Sequence, residues 1–236
     1  MTDVVDRTAN IRVWDLPLRL FHWLLVATIA VAFLSSEEGS PLAQWHIASG
    51  WFAAVLVIFR LFWGFAGGEH ARFVDFVRPS AIGEHIRGLA GRSAAPPLGH
   101  NPLGGLAVLL LLAGVAVVVY TGVTIGKGGD ELHETIAWAL LALVALHVAA
   151  VVIMSIIEKE NLIRAMVTGR KPAARHPGAS DARRPGTLAL LLAALVVVGS
   201  VVAILRYDPL AFSPRAHAEH EHEGAAAVGG ESADED

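Results

Sequence analysis

The chain has 236 residues, of which 54% are hydrophobic and 17% charged, with a formal net charge of −4. Long uncharged apolar runs at this composition place it in the membrane class rather than among soluble domains, and no basic stretch marks it for nucleic acid. Cysteine is absent, which excludes disulfides, thiolate-held iron–sulfur clusters and covalent C-x-x-C-H cofactor attachment.

Five spans are predicted at 16–34, 45–65, 103–125, 133–157 and 187–205, each close to the roughly 20 residues that the hydrocarbon core requires. The first opens with VWDLPLRLFHWLLV, where Pro17 falls in the first helical turn and Trp14 and Trp23 suit a membrane interface. A cleaved signal peptide is the rival reading of this span. Its length, the lack of a small-residue cleavage site and the presence of His22 argue against it. A short acidic loop, SSEEGSPLAQ, leads to WHIASGWFAAVLVIFRLFWGF, which carries His46 at its start and Gly50 one turn later on the same face.

A long basic loop broken by Pro79, Pro96 and Pro97 follows, with an interfacial helix expected within 73–90 and with His70 and His85 read as surface residues. GHNPLGG then sets His100 and Asn101 at the start of the third span. That span has no histidine, and its glycines suit close packing, so it reads as a wall of the bundle.

The fourth span organises the chain, because it holds His133 and His147. Their 14-residue spacing is about 40° short of four full turns, so both imidazoles leave one helix face, roughly 21 Å apart along the axis. After it come the amphipathic EKENLIRAMVTGRK, a Pro/Ala/Arg/Gly linker at 172–186, and a fifth span free of ionisable residues that reads as peripheral and lipid-facing. The remainder, 206–236, is an acidic tail with His217, His220 and His222, expected to be disordered. Its charge suits steering of a basic soluble partner such as a c-type cytochrome.

Of the 18 basic residues, all but Lys127, Arg206 and Arg215 fall on one side of the membrane by this count of spans. The positive-inside rule then predicts a cytoplasmic N-terminus and a C-terminus outside, in the periplasm of a Gram-negative cell. In that orientation His22 and His147 share an inner level, and His46 and His133 an outer one. Histidine at hydrocarbon depth is costly unless it faces the bundle interior and finds a partner. Four of them on three helices, at two levels, match the needs of two stacked six-coordinate b-type haems. Gly50 leaves room for a flat macrocycle against the backbone. Arg19, Arg60, Lys159 and Arg164 are the candidate counter-charges for propionates, and His100 a candidate quinone or propionate contact.

The motifs VWDLPLRLFHW, WHIASGW, RLFWGF, GHNPLGG, LHETIAWALLALVALH and NLIRAMVTGR together resemble the bacterial cytochrome b561 proteins and the related b-type cytochrome subunits of nickel–iron hydrogenases, over about residues 11–171. The resemblance implies an all-α integral membrane fold: a four-helix di-haem bundle over 1–171, to which this chain adds the linker, the extra helix at 187–205 and the tail. It implies two non-covalently bound haem b groups, ligated by His22 with His147 and by His46 with His133, and electron transfer between membrane quinone and a redox partner. Two other readings stand beside this one. The first is a haem-bearing membrane anchor of a hydrogenase-like or other oxidoreductase complex. The second is a transition-metal transporter, which would want carboxylates at mid-membrane depth that these spans lack.

Overall fold

The computed structural model describes residues 10–37, 39–76, 98–99, 102–124 and 130–215. In chain order these form β1 (Asn10–Arg12), α1 (Leu16–Leu34), α2 (His46–Ala66), α3 (Phe73–Phe76), α4 (Pro102–Thr124), α5 (Asp130–Ile157), α6 (Leu162–Thr168), β2 (Arg170–Pro172) and α7 (Thr187–Tyr207). Five of the helices, α1, α2, α4, α5 and α7, are long and apolar enough to cross a membrane. The all-helical membrane architecture expected from the sequence is thus present. Only the first four residues of the expected interfacial helix are described, as α3. Residues 77–97 of that loop, with Arg78, His85, Arg87 and Arg92, lie outside the described residues.

Local signals account for the helix ends. Asp15 caps α1 by accepting a hydrogen bond from the Leu18 amide at 2.8 Å, and Pro17 occupies the first turn, where its missing N–H costs nothing. α5 begins one turn before the expected start, at Asp130, so His133 sits inside the helix rather than at its edge. α7 runs two residues past the expected end, to Tyr207.

α1 packs along α2, α2 along α4 and α7, and α4 along α5. Between α5 and the α1–α2 pair there is no backbone approach of comparable closeness. α2 is correspondingly the enclosed helix, with 44% of its spanning window buried against 6% for α5. The largest buried cluster joins Trp14, Phe21, Val57, Trp63, Val115 and Leu140, drawing on all four helices of the bundle.

One end of the bundle is closed by a two-stranded antiparallel ladder in which Ile11 pairs with Lys171. The Val13 and Trp14 amides extend this contact by donating to the Gly169 carbonyl at 2.8 and 3.1 Å. Gly169 ends α6 with φ of 77°, and a Cβ there would lie 2.8 Å from the Trp14 carbonyl, so conformation and close approach both demand glycine. At the same end the Asp15 carboxylate accepts from the Trp63 indole at 3.1 Å and from the Gly68 amide at 3.0 Å, joining α1 to the exit of α2. The segment expected as a linker is held along this surface. Asp181 accepts from the Arg12 amide at 2.8 Å, the Ala182 amide donates to the Arg12 carbonyl at 2.9 Å, and the Arg183 amide donates to Glu69 at 2.9 Å.

At the opposite end the chain after α7 folds back on α2. Asp208 accepts from the Trp51 indole at 3.0 Å and from the Arg215 guanidinium, and the Arg215 amide donates to the Gln44 carbonyl at 2.9 Å. Phe212 packs 5.0 Å from Phe52, centroid to centroid, and Ala211 is fully buried. The first part of the expected tail is therefore docked, and the fifth helix is fastened to α2. Residues 216–236, with His217, His220 and His222, lie outside the described residues.

Burial pushes the Asp208 carboxyl up, but hydrogen bonds from Arg215, Trp51 and the Leu210 amide outweigh it and hold the group below its ordinary value. A carboxyl depressed in the folded state stabilises the fold fully above its unfolded pKa and loses that contribution as pH falls through the folded one. Acidification through this range is expected to release the 208–215 segment. The indole N–H resonance of Trp51 should shift as it does so, and Asp208→Asn should abolish the transition.

Candidate functional site

The site is built where α5 faces the closely packed α1–α2 pair without close backbone packing of its own. At the end away from the ladder, His46 opens α2 and His133 lies in the first turns of α5. Their ring centroids are 6.1 Å apart and their planes nearly perpendicular, at 87°. At metal–nitrogen distances of about 2 Å, two imidazoles on opposite sides of one metal have centroids roughly 6 Å apart, so the separation suits a shared iron. Gly50 follows one turn after His46, and a Cβ there would meet nothing within 4 Å. The open space suits a flat ring.

Both rings are held by the nitrogen nearer the backbone. The His46 Nδ1 lies 3.0 Å from the Ala32 carbonyl at the end of α1 and 3.4 Å from the Ser35 hydroxyl. The His133 Nδ1 lies 3.1 Å from the Thr121 hydroxyl on α4. Gly122, next to it, leaves the space the ring occupies, since a Cβ would stand 3.0 Å from His133 Cε1. α4 is thus more than a wall. Its Thr121, a buried hydroxyl in an otherwise apolar stretch, was legible as a polar residue at histidine depth but not as that ring's partner.

Toward the ladder end, His22 of α1 and His147 of α5 come close enough to interact electrostatically. The His22 Nδ1 is buried with no hydrogen-bond partner among the described residues. A buried imidazole nitrogen left so is costly in an apolar bundle, which is the signature of a position shaped for something further.

The candidate counter-charges divide. Arg60 is 1% exposed, with its guanidinium 4.7 Å over the Phe73 ring and both Nη atoms buried without hydrogen-bond partners among the described residues. Arg19 donates to the Val167 carbonyl, and its Nε is buried with no hydrogen-bond partner among those residues. Lys159, at a left-handed φ of 50°, and Arg164 are exposed. His100 and Asn101 lie outside the described residues. His70 is half-buried rather than a free surface residue, with its ring edge against Trp14.

A polar cluster that the sequence did not signal lies beneath the ladder. Glu160 is buried with Lys171 at 3.5 Å and His176 at 3.1 Å, drawing the α5–α6 turn, β2 and the following segment together. Nothing in residue type separates Glu160 from its exposed neighbours; only the tertiary approach does. Among the described residues no group of three or more histidine, cysteine, aspartate or glutamate side chains is placed to hold a metal ion by itself. Paired imidazoles suit a metal that brings its own equatorial ligands, as haem iron does.

The sequence profile of prokaryotic cytochrome b561 matches residues 13–169, a stretch that contains His22, His46, His133 and His147 and ends before α7. The chain is similar to a protein of Azotobacter vinelandii named probable Ni/Fe-hydrogenase B-type cytochrome subunit, with 26% identity over 215 residues, covering 70% of this chain and 90% of that one. A protein of the same name from Rhizobium leguminosarum bv. viciae is 24% identical over 213 residues, covering 69% and 89%. The probable Ni/Fe-hydrogenase 1 B-type cytochrome subunit of Escherichia coli K12 is 24% identical over 217 residues, covering 70% and 92%. No solved structure gives a significant match.

The seat of Arg60 depends on Gly64, where a Cβ would fall 2.0 Å from Phe73 Cε2. Gly64→Ala is expected to drive Phe73 off the guanidinium and to cost about 1–3 kcal/mol, as overpacking commonly does. A lowered thermal unfolding midpoint in detergent, relative to Phe73→Leu in the same background, measures it.

Proposed function

Since the chain belongs to the prokaryotic cytochrome b561 family, and so is a multi-pass membrane b-type cytochrome that transfers electrons through haem b, we propose that it holds two such groups, one between His22 and His147 and one between His46 and His133. We assign to it the passage of electrons between membrane quinone and a redox partner on the opposite side. What supports this reading is the pairing of His46 with His133, whose rings stand 6.1 Å apart, beside the electrostatic approach of His22 to His147, where α5 faces the α1–α2 pair without close backbone packing.

Bound at these positions, haem supplies a one-electron iron couple at each level. The protein's part is to hold, orient and insulate. Paired imidazoles at each level would hold the iron and leave it no open position for oxygen, which would favour electron transfer over oxygen chemistry. Apolar side chains of α1, α2, α4 and α5 keep water from the gap. Arg60, with its buried and unpartnered Nη atoms, is the chain's best cationic seat for a propionate. Arg19, engaged by the Val167 carbonyl, supports the same end of the bundle.

The basic loops favour a cytoplasmic ladder end, which sets the His22–His147 level inward and the His46–His133 level outward in a bacterial inner membrane. The quinone reaction is assigned to the cytoplasmic surface, and His100 and Asn101, its candidates from the sequence, lie outside the described residues. The names of the similar proteins favour one variant of this reading, in which the partner is a hydrogenase-like subunit docked outside and the chain is both its anchor and its wire. A soluble c-type cytochrome drawn by the acidic tail is the other partner of fitting charge.

Substitution tests the pairing. His147→Ala is expected to remove one haem and spare the other, so that the reduced-minus-oxidised α band falls by about half. His46→Ala should remove the complementary one, and His70→Ala neither. Equal loss in both histidine variants of the same spectral component would contradict the two-level assignment.

A further inference from the structure

The two histidine levels differ in what holds their rings, and this difference has a chemical consequence. A carbonyl oxygen has no proton to give, so where the Ala32 carbonyl meets the His46 Nδ1 at 3.0 Å, the imidazole must be the donor. The Thr121 hydroxyl has a single proton and lies 2.9 Å from the Val118 carbonyl, which can only accept. With the proton given to that carbonyl, Thr121 is an acceptor toward the His133 Nδ1 at 3.1 Å. In that arrangement both rings at this level carry their proton on Nδ1 and their lone pair on Nε2, the tautomer that a metal requires of a ligand whose Nδ1 is hydrogen-bonded. Gly122 gives the His133 ring room to lie against α4 in that orientation, with Cε1 only 3.0 Å from where a Cβ would be. At the other level the His22 Nδ1 is buried and has no hydrogen-bond partner among the described residues.

An imidazole that donates its second N–H becomes a stronger electron donor through the nitrogen that binds the metal, and stronger donation favours ferric over ferrous iron. We propose that Thr121 is a positioning residue for His133, which fixes the ring's tautomer and direction, and that this hydrogen bond, with that of His46 to the Ala32 carbonyl, makes the haem at the His46–His133 level the lower-potential of the two. The proposal rests on the haem pairing given above. It adds the residue on the histidine-free helix that tunes one level independently of the other. Ser35 completes the same arrangement on α1, where its buried hydroxyl donates to the Ala32 carbonyl at 3.0 Å and lies 3.4 Å from the His46 Nδ1.

The test is a spectroscopic redox titration of the purified haem-loaded protein, with low-spin ferric EPR signals recorded for each haem, and with His46→Ala identifying which signal belongs to that level. Thr121→Val is expected to keep both haems and to raise the lower midpoint potential, moving the EPR signal of that haem and leaving the other unchanged. Thr121→Ser, which restores the hydroxyl without the methyl, should return both values to those of the wild type. Loss of that one haem in Thr121→Val with retention in Thr121→Ser is the same outcome in a stronger form. Unchanged potentials in Thr121→Val, a shift confined to the higher-potential haem, or a Thr121→Ser variant that behaves like the valine one would overturn the proposal. A wild-type protein whose two levels carried no haem would instead refute the pairing itself.

Discussion

An imidazole at hydrocarbon depth has two polar edges and no water to satisfy them, and the proposed haem sites place four such rings in the bundle. Each must turn inward, and each needs a partner for both nitrogens. The response differs by level. His46 and His133 reach a main-chain carbonyl at the end of α1 and a hydroxyl on α4, and their rings stand 6.1 Å apart. His22, near His147, has a buried nitrogen with no hydrogen-bond partner among the described residues. A helix that brought any one of these rings to lipid would have to bury it without compensation, so the rotation of α1, α2 and α5 about their axes follows from the histidines as much as from the apolar residues around them.

The remaining structure holds α5 off the packed α1–α2 pair. α4 bridges α2 and α5, and the small residues on it, Gly114 beside Leu140 and Gly122 beside His133, permit the approach. The ladder end ties α1 to α6 through Gly169 and to α2 through Asp15 and Trp63. The far end is tied by the 208–215 segment, whose Asp208 takes the Trp51 indole one turn beyond the His46 level. Two polar clamps thus close the ends of an apolar bundle whose middle is left open along one gap. In lipid, where apolar burial between helices contributes little, such end clamps and interhelical hydrogen bonds carry much of the packing specificity.

Much of this was legible in the sequence because lipid removes alternatives. A span must be a helix, its length is set by the hydrocarbon, and a helix has a fixed rise and turn, so the spacing of His133 and His147 fixed one face and two depths before any coordinates. The helix ends at Leu16, where Asp15 caps and Pro17 follows, and at Gly169 were written in residues with a single good conformation for the place. What escaped was everything set by approach rather than by period. Thr121 differs from any other hydroxyl in an apolar run only because α4 carries it past His133. Glu160 is one of two acidic residues two positions apart, and burial with Lys171 and His176 distinguishes it only after β2 has folded back. The 172–186 segment has the composition of a connector, and its main-chain hydrogen bonds to Arg12 and Glu69 leave no mark in that composition. Asp208 and Arg215 read as members of a solvated tail, yet the pair seals the helix that the same reading left unattached.

The central claim is that each chain clasps two iron porphyrins between paired imidazoles. Its most direct test is the ratio of haem to protein in the purified wild-type chain, with non-covalent b-type haem quantified against amino-acid analysis. The account predicts about two haems per chain, both low-spin and six-coordinate in the ferric state. A ratio of one or less in fully loaded protein, or a high-spin signal from an iron with an open axial position, would contradict it.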